Sequence, residues 1–231
     1  MRAPLVLVAG FLCAVGCIPA VANRLDGRSI DKSRVTAAPP RIVFYDLDLT
    51  GTKVPQEERL RAVEASVGSF LTSVMSENGA SVTSSEAVQA CGTPCHEFLR
   101  GGMLATAEIA LQRAQAENFN RHSVGDWSFH GDLAPVQSAF GADYVLLTFL
   151  RQVRDTTGRQ IATLAAGTPM KQVAAICLAD LREGSMAWCA SSIDGRATNL
   201  DAPNRARDLL ARLMCGTFRL PADVPCASTA P

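Results

Sequence analysis

The chain has 231 residues, with 22 basic against 22 acidic, a formal net charge of zero, and 48% apolar and 19% charged residues. That apolar content excludes a disordered chain, a collagen and a coiled coil, and nothing resembles a polytopic membrane protein. Without a surplus of Lys and Arg, the chain is not built to grip bulk nucleic acid.

Residues 1–22 read as a secretory signal peptide. Arg2 is a minimal positive start, and residues 3–15 form an uncharged apolar run. The run is shorter than the ~20 residues that cross a bilayer core. Two processing sites compete behind it. Ala14-Val15-Gly16-Cys17 is an acceptable lipobox, although Leu is usual where Ala14 stands, and it would make Cys17 a lipidated N-terminus. Ala20-Val21-Ala22 is an A-x-A site for ordinary signal peptidase, giving a soluble chain that starts at Asn23. The lipoprotein reading is preferred, because the apolar run ends against Gly16-Cys17. Ile18 rather than Asp then follows the lipidated cysteine, which by lipoprotein sorting rules points to the outer membrane.

Residues 23–40 are polar and irregular, end in Ala37-Ala38-Pro39-Pro40, and read as a flexible linker. A single domain over 41–226 and a tail over 227–231 follow. Residues 41–50 give the first strand, with Tyr45, Leu47 and Leu49 alternating with Asp46 and Asp48. Residues 55–77 are the clearest helix: Leu60, Val63, Val67, Phe70, Leu71 and Val74 make one stripe, and Asn78-Gly79 stops it. Residues 80–88 read as a short strand. Residues 103–117 read as an Ala-rich helix, set apart from Phe98-Leu99 by Gly101-Gly102. Asp132 can cap a short helix over 133–140, with Pro135 in its first turn and Gly141 closing it.

Residues 144–153 are an almost unbroken apolar run, the pattern of a central strand covered on both faces. Residues 173–181 and 185–193 pair as a hairpin, and Asp201 caps a last helix with Ala206, Leu209, Leu210, Leu213 and Met214 on one face. The expected fold class is α/β (α+β). It is a single-layer mixed sheet with a late β-hairpin, packed by a long N-terminal helix and a C-terminal helix.

Beyond the signal, six cysteines remain: Cys91, Cys95, Cys177, Cys189, Cys215 and Cys226. An even number in an exported chain implies up to three disulfides, with fifteen connectivities open. Proximity favours Cys91–Cys95, Cys177–Cys189 and Cys215–Cys226. Hairpin geometry supports the middle pair. A three-residue loop of Arg182-Glu183-Gly184 makes Leu181 face Ser185, and counting back makes Cys177 face Cys189. Cys91-Gly-Thr-Pro-Cys95 has one residue too many for a thioredoxin-type site. Zinc on Cys91, Cys95 and His96 lacks a second ligand pair with finger-like spacing.

No G-x-S-x-G, H-E-x-x-H, P-loop or G-x-G-x-x-G motif is present. His122 and His130 lie in a loop beside Asp126 and read as solvated. Asp46 and Asp48 share a face near the end of the first strand, where a hard cation is conceivable but a solvated turn is preferred. Asp143 is expected to turn the chain into its strand. Trp127 and Trp188 are the candidate interface residues, Trp188 only if it is exposed. No catalytic residue, metal or cofactor is assigned.

Ala139-Phe140-Gly141-Ala142-Asp143-Tyr144-Val145 resembles the helix, Gly-Ala-Asp, strand step of TolB N-terminal-like and CsgG-like envelope proteins. Gln152-Val153-Arg154-Asp155 and the later Asp180-Leu181-Arg182-Glu183-Gly184-Ser185-Met186-Ala187-Trp188 are similar to segments of an uncharacterised proteobacterial exported protein and lipoprotein family. The resemblance implies a non-catalytic envelope accessory or assembly role in the periplasm or at the outer membrane. Partners would be other envelope proteins, with homo-oligomers a further option and the membrane reached through a lipid on Cys17. Nucleic acid is not expected. The alternative is a thiol-disulfide or metal-dependent periplasmic enzyme using Cys91 and Cys95.

Overall fold

Two prolines divide the strand that opens the sheet. In the computed structural model, which describes residues 20–23, 30–115, 127–156, 171–194, 200, 202–224 and 226, β2 (Val35–Ala37) and β3 (Arg41–Leu47) both run parallel to one long strand, β6 (Tyr144–Asp155). Val35 faces Tyr144, and Arg41 faces Phe149. Between them Ala38 still donates to the Leu146 carbonyl at 3.0 Å, whereas Pro39 and Pro40 have no N–H to give. This corrects the linker reading at residues 30–40. Ile30 packs on the core, Asp31 caps a 3₁₀ turn at Lys32–Arg34, and Val35, Thr36 and Ala37 are fully buried. Low hydrophobicity hid the strand. The polar member, Thr36, is satisfied by the Thr83 hydroxyl at 2.9 Å.

The sheet is mixed and eight-stranded. Its order runs from β1 (Ala20–Asn23) through β8 (Ser185–Asp194) and β7 (Lys171–Asp180) to β6, whose far edge is shared by β2 and β3. β5 (Ser81–Val82) extends β2, and β4 (Lys53–Pro55) extends β3.

Helices cover both faces. α1 (Glu57–Glu77) and α5 (Pro203–Met214) lie over one, with Val63, Val67, Phe70, Leu71 and Val74 meeting Ile42, Phe44, Leu146 and Leu150. Ala206, Leu209, Leu210, Leu213 and Met214 fill the same core. Asn78 ends α1 and clamps the C-terminal stretch: its amide donates to the Arg219 carbonyl at 2.8 Å and accepts from Arg219 N at 2.9 Å. On the other face lie α2 (Ser85–Cys91), α3 (Thr93–Gln115) and α4 (Ala134–Phe140), against Val145, Leu147, Cys177 and Cys189.

Two elements depart from the sequence reading. The strand expected over 80–88 stops at Val82, because the Ser84 hydroxyl accepts from Ala87 N at 3.1 Å and starts α2. The Gly101-Gly102 pair does not separate two elements, for α3 runs straight through it. A Cβ on Gly102 would lie 2.6 Å from Leu147 Cδ1, so the missing side chain lets the helix approach β6. Tertiary packing outweighs the roughly 1 kcal/mol helix penalty of a glycine.

Candidate functional site

A wide concavity is built on α3. Cys91 closes α2 and Cys95 lies in the first turn of α3, with Cα atoms 5.7 Å apart and the sulfurs bonded across Gly92, whose φ is +69°. That staple sets the elbow between the helices. Phe98 then packs against Phe129 at 5.1 Å between ring centroids and against Phe140 at 6.2 Å.

Residues 127–129 are held by the turn of the β7–β8 hairpin. Phe129 N donates to the Gly184 carbonyl at 2.6 Å, and Met186 N donates to the Trp127 carbonyl at 3.0 Å. Gly184 has φ +64°, and a Cβ there would stand 3.2 Å from the Phe129 oxygen, so both the backbone and the close approach favour glycine. Between this segment and α3 opens a groove of about 790 Å³, the size of a small-molecule or peptide pocket. Phe98, Leu104, Trp127 and Phe129 supply its apolar surface, and Leu104 is 66% exposed. Glu97, Glu108 and Asp132 supply carboxylates, while no Lys or Arg lines it among the described residues.

The sequence candidates fall in different places. Trp127 is half-buried in the groove wall. Trp188 is only 1% exposed, on the opposite face of the sheet and edge-on to Phe218 at 6.2 Å. It is a core residue, so the exposure on which an interface role depended is absent. His130 is exposed at the groove. His122, Asp126, Asp201 and Cys17 lie outside the described residues.

The cysteines pair as 91–95, 177–189 and 215–226, so the sulfurs of Cys91 and Cys95 are bonded to each other beside His96.

The aspartates are committed to their neighbours. Asp46 accepts from Arg154 at 3.3 Å. Asp48 binds Thr50 N and Thr52 N, each at 2.8 Å, across the β3–β4 turn. Hydrogen bonds from Thr50 and Thr52 hold its carboxyl below the usual range. No group of three or more His, Cys, Asp or Glu side chains suited to a metal occurs among the described residues.

Asp143, 5% exposed, does more than turn the chain. Its two oxygens meet Arg34 at 2.6 and 2.7 Å, Gln137 donates to it at 3.0 Å, and Arg182 stands at 3.6 Å. Arg182 also reaches Asp180 and donates to the Tyr144 hydroxyl. The hydrogen bond to Asp180 raises its pKa above the ordinary arginine value. This network closes the end of the sheet next to the groove.

No protein-family model matches the chain, and no curated protein matches its sequence. Among solved structures, the PelC dodecamer from Paraburkholderia phytofirmans is 12% identical at a TM-score of 0.37, covering 85% of this chain and 96% of that one. Lipoprotein GNA1162 from Neisseria meningitidis is 19% identical at 0.30, covering 71% and 81%. The LpoB C-terminal domain from Salmonella enterica is 11% identical at 0.28, covering 74% and 88%. Overlaps this loose carry no function across.

Proposed function

We propose that the chain is a non-catalytic accessory or assembly protein of the cell envelope that binds another envelope protein in the groove beside α3. The signal-like N-terminus and three bonded cysteine pairs support export to an oxidising compartment, the periplasm or the periplasmic face of the outer membrane. The folded unit is one domain, built from the chain after Ile30 together with the edge strand β1. A lipid on Cys17 attaches it to the membrane.

The observation that carries the reading is Leu104. A leucine two-thirds exposed, beside a half-buried tryptophan and two phenylalanines, presents an apolar anchor site. The acidic rim suits a segment in which Lys or Arg flanks apolar side chains.

The test is photocrosslinking in intact cells from residue 104, with residue 64 on the outer face of α1 as control. The expected result is one exported protein attached at 104, absent at 64 and lost in Trp127→Ala. Equal labelling at both positions, or a product indifferent to Trp127, overturns the reading.

A further inference from the structure

The two ends of the sheet are protected differently. At one end lie β4 and β5. β4 has three exposed residues, among them Lys53 and Pro55, and β5 has two residues. Short length, a lysine and a proline are the usual means of stopping a further strand from adding to an edge. At the other end β8 has none of these. Its outer residues Trp188, Cys189, Ala190 and Ser191 carry no charge and no proline, and all four are buried. The partner of its backbone there is β1, paired antiparallel with Ala20 opposite Ser191, Val21 opposite Ala190, Ala22 opposite Cys189 and Asn23 opposite Trp188.

Those are the residues of the A-x-A processing site. A cut after Ala22 would remove three of the four residues of β1 and leave Asn23 as the chain end. The β8 backbone would then lose its partners, and an apolar strand edge would face solvent.

We propose that Ala20–Asn23 stays in the mature protein as the edge strand of the sheet, so maturation cuts the chain upstream of Ala20 and spares the site after Ala22. The strand-docking edge of β8 therefore has an occupant of its own. The upstream site in the sequence is the bond before Cys17. Two residues, Ile18 and Pro19, separate Cys17 from Ala20, and the three chain steps of ~3.6 Å reach at most about 11 Å. A lipid placed there keeps β1 within that reach of the membrane surface.

The inference rests on export, and one measurement separates the two. Intact-mass and N-terminal peptide analysis of the otherwise unaltered protein, purified from soluble and membrane fractions together, should find residues 20–23 present behind an N-terminus at Cys17. An N-terminus at Asn23 overturns the inference and leaves export standing. One at Met1 overturns both.

A second test asks whether the strand is seated. In Ala20→Cys with Ser191→Cys, the two new thiols should bridge within one chain, and the pair Val21→Cys with Ser191→Cys should bridge several-fold less. Bridges between chains, or equal yields from the two pairs, show that β1 is not the resident strand.

Discussion

Cys177 stands directly opposite Cys189, Cα to Cα 4.1 Å, although four residues rather than three turn the chain between their strands. Asp180, not Leu181, faces Ser185. A plain four-residue turn would bring Trp188 opposite Cys177. A bulge at Ala187 restores the count, so Leu178 faces Trp188 and the cysteines meet on the α3 face. The same extra residue sends Trp188 into the core beneath α5.

Burial orders the reduction of the bridges. Cys177 and Cys189 are fully buried, whereas Cys215 is half-buried and Cys226 exposed. Mild reductant followed by alkylation and peptide mapping should label Cys215 and Cys226 first and Cys177 and Cys189 last. Labelling of the hairpin pair first would contradict the packing. Replacing both hairpin cysteines with Ala should cost up to ~3 kcal/mol, which lowers the melting temperature by about 6–12 °C.

Adjacent glycines of α3 should respond with opposite signs. Gly101 has open space where a Cβ would stand, so Gly101→Ala should stabilise by up to ~1 kcal/mol through helix propensity. Gly102→Ala drives a methyl into the buried Leu147 side chain and should destabilise by about 1–2 kcal/mol after the propensity gain. Urea midpoints measure both, and like signs would refute the close approach of α3 to β6.

Asp143→Asn removes the paired contacts to Arg34. Arg34 is 58% exposed, so solvent weakens the pair, and a loss of about 1.5 kcal/mol is expected, roughly 3–6 °C in melting temperature. Arg34→Lys should recover little, because an ammonium cannot meet both oxygens as the guanidinium fork does. Full recovery by lysine would show that charge alone matters.

Tyr144 sets an alkaline limit. Burial, and then the charge of Asp180, push its phenol above the ordinary value near 10. A group whose folded pKa is raised stabilises below its unfolded pKa and ceases to as pH climbs through the folded one. As pH climbs above about 10 the wild type should therefore lose more stability than Tyr144→Phe. Parallel stability curves would rule this out.

The local elements were legible from residue spacing. The stripe of α1, the apolar run of β6, the hairpin and the apolar face of α5 each repeat at the period of their own backbone, and a period needs no distant partner. β2 was hidden because Val35-Thr36-Ala37 is neither long nor alternating, and its burial comes from lying between β6 and β5. Gly101-Gly102 misled because helix propensity is a property of the segment, while its packing on Leu147 is not. The groove had one visible member, Trp127. Leu104 reads in sequence as one more apolar residue of an Ala-rich helix.

The amino-acid sequence by itself determined the helices and long strands and the even set of cysteines, since each is written in composition or in short-range periodicity. Tertiary structure alone decided that Trp188 points into the core, that Arg34 closes on Asp143 from 109 positions away, and that Leu104 is left exposed beside Trp127. Those outcomes depend on which faces meet and on a single bulged residue. A one-residue change of register exchanges the two sides of a sheet, and no pattern within the strand records which exchange was made.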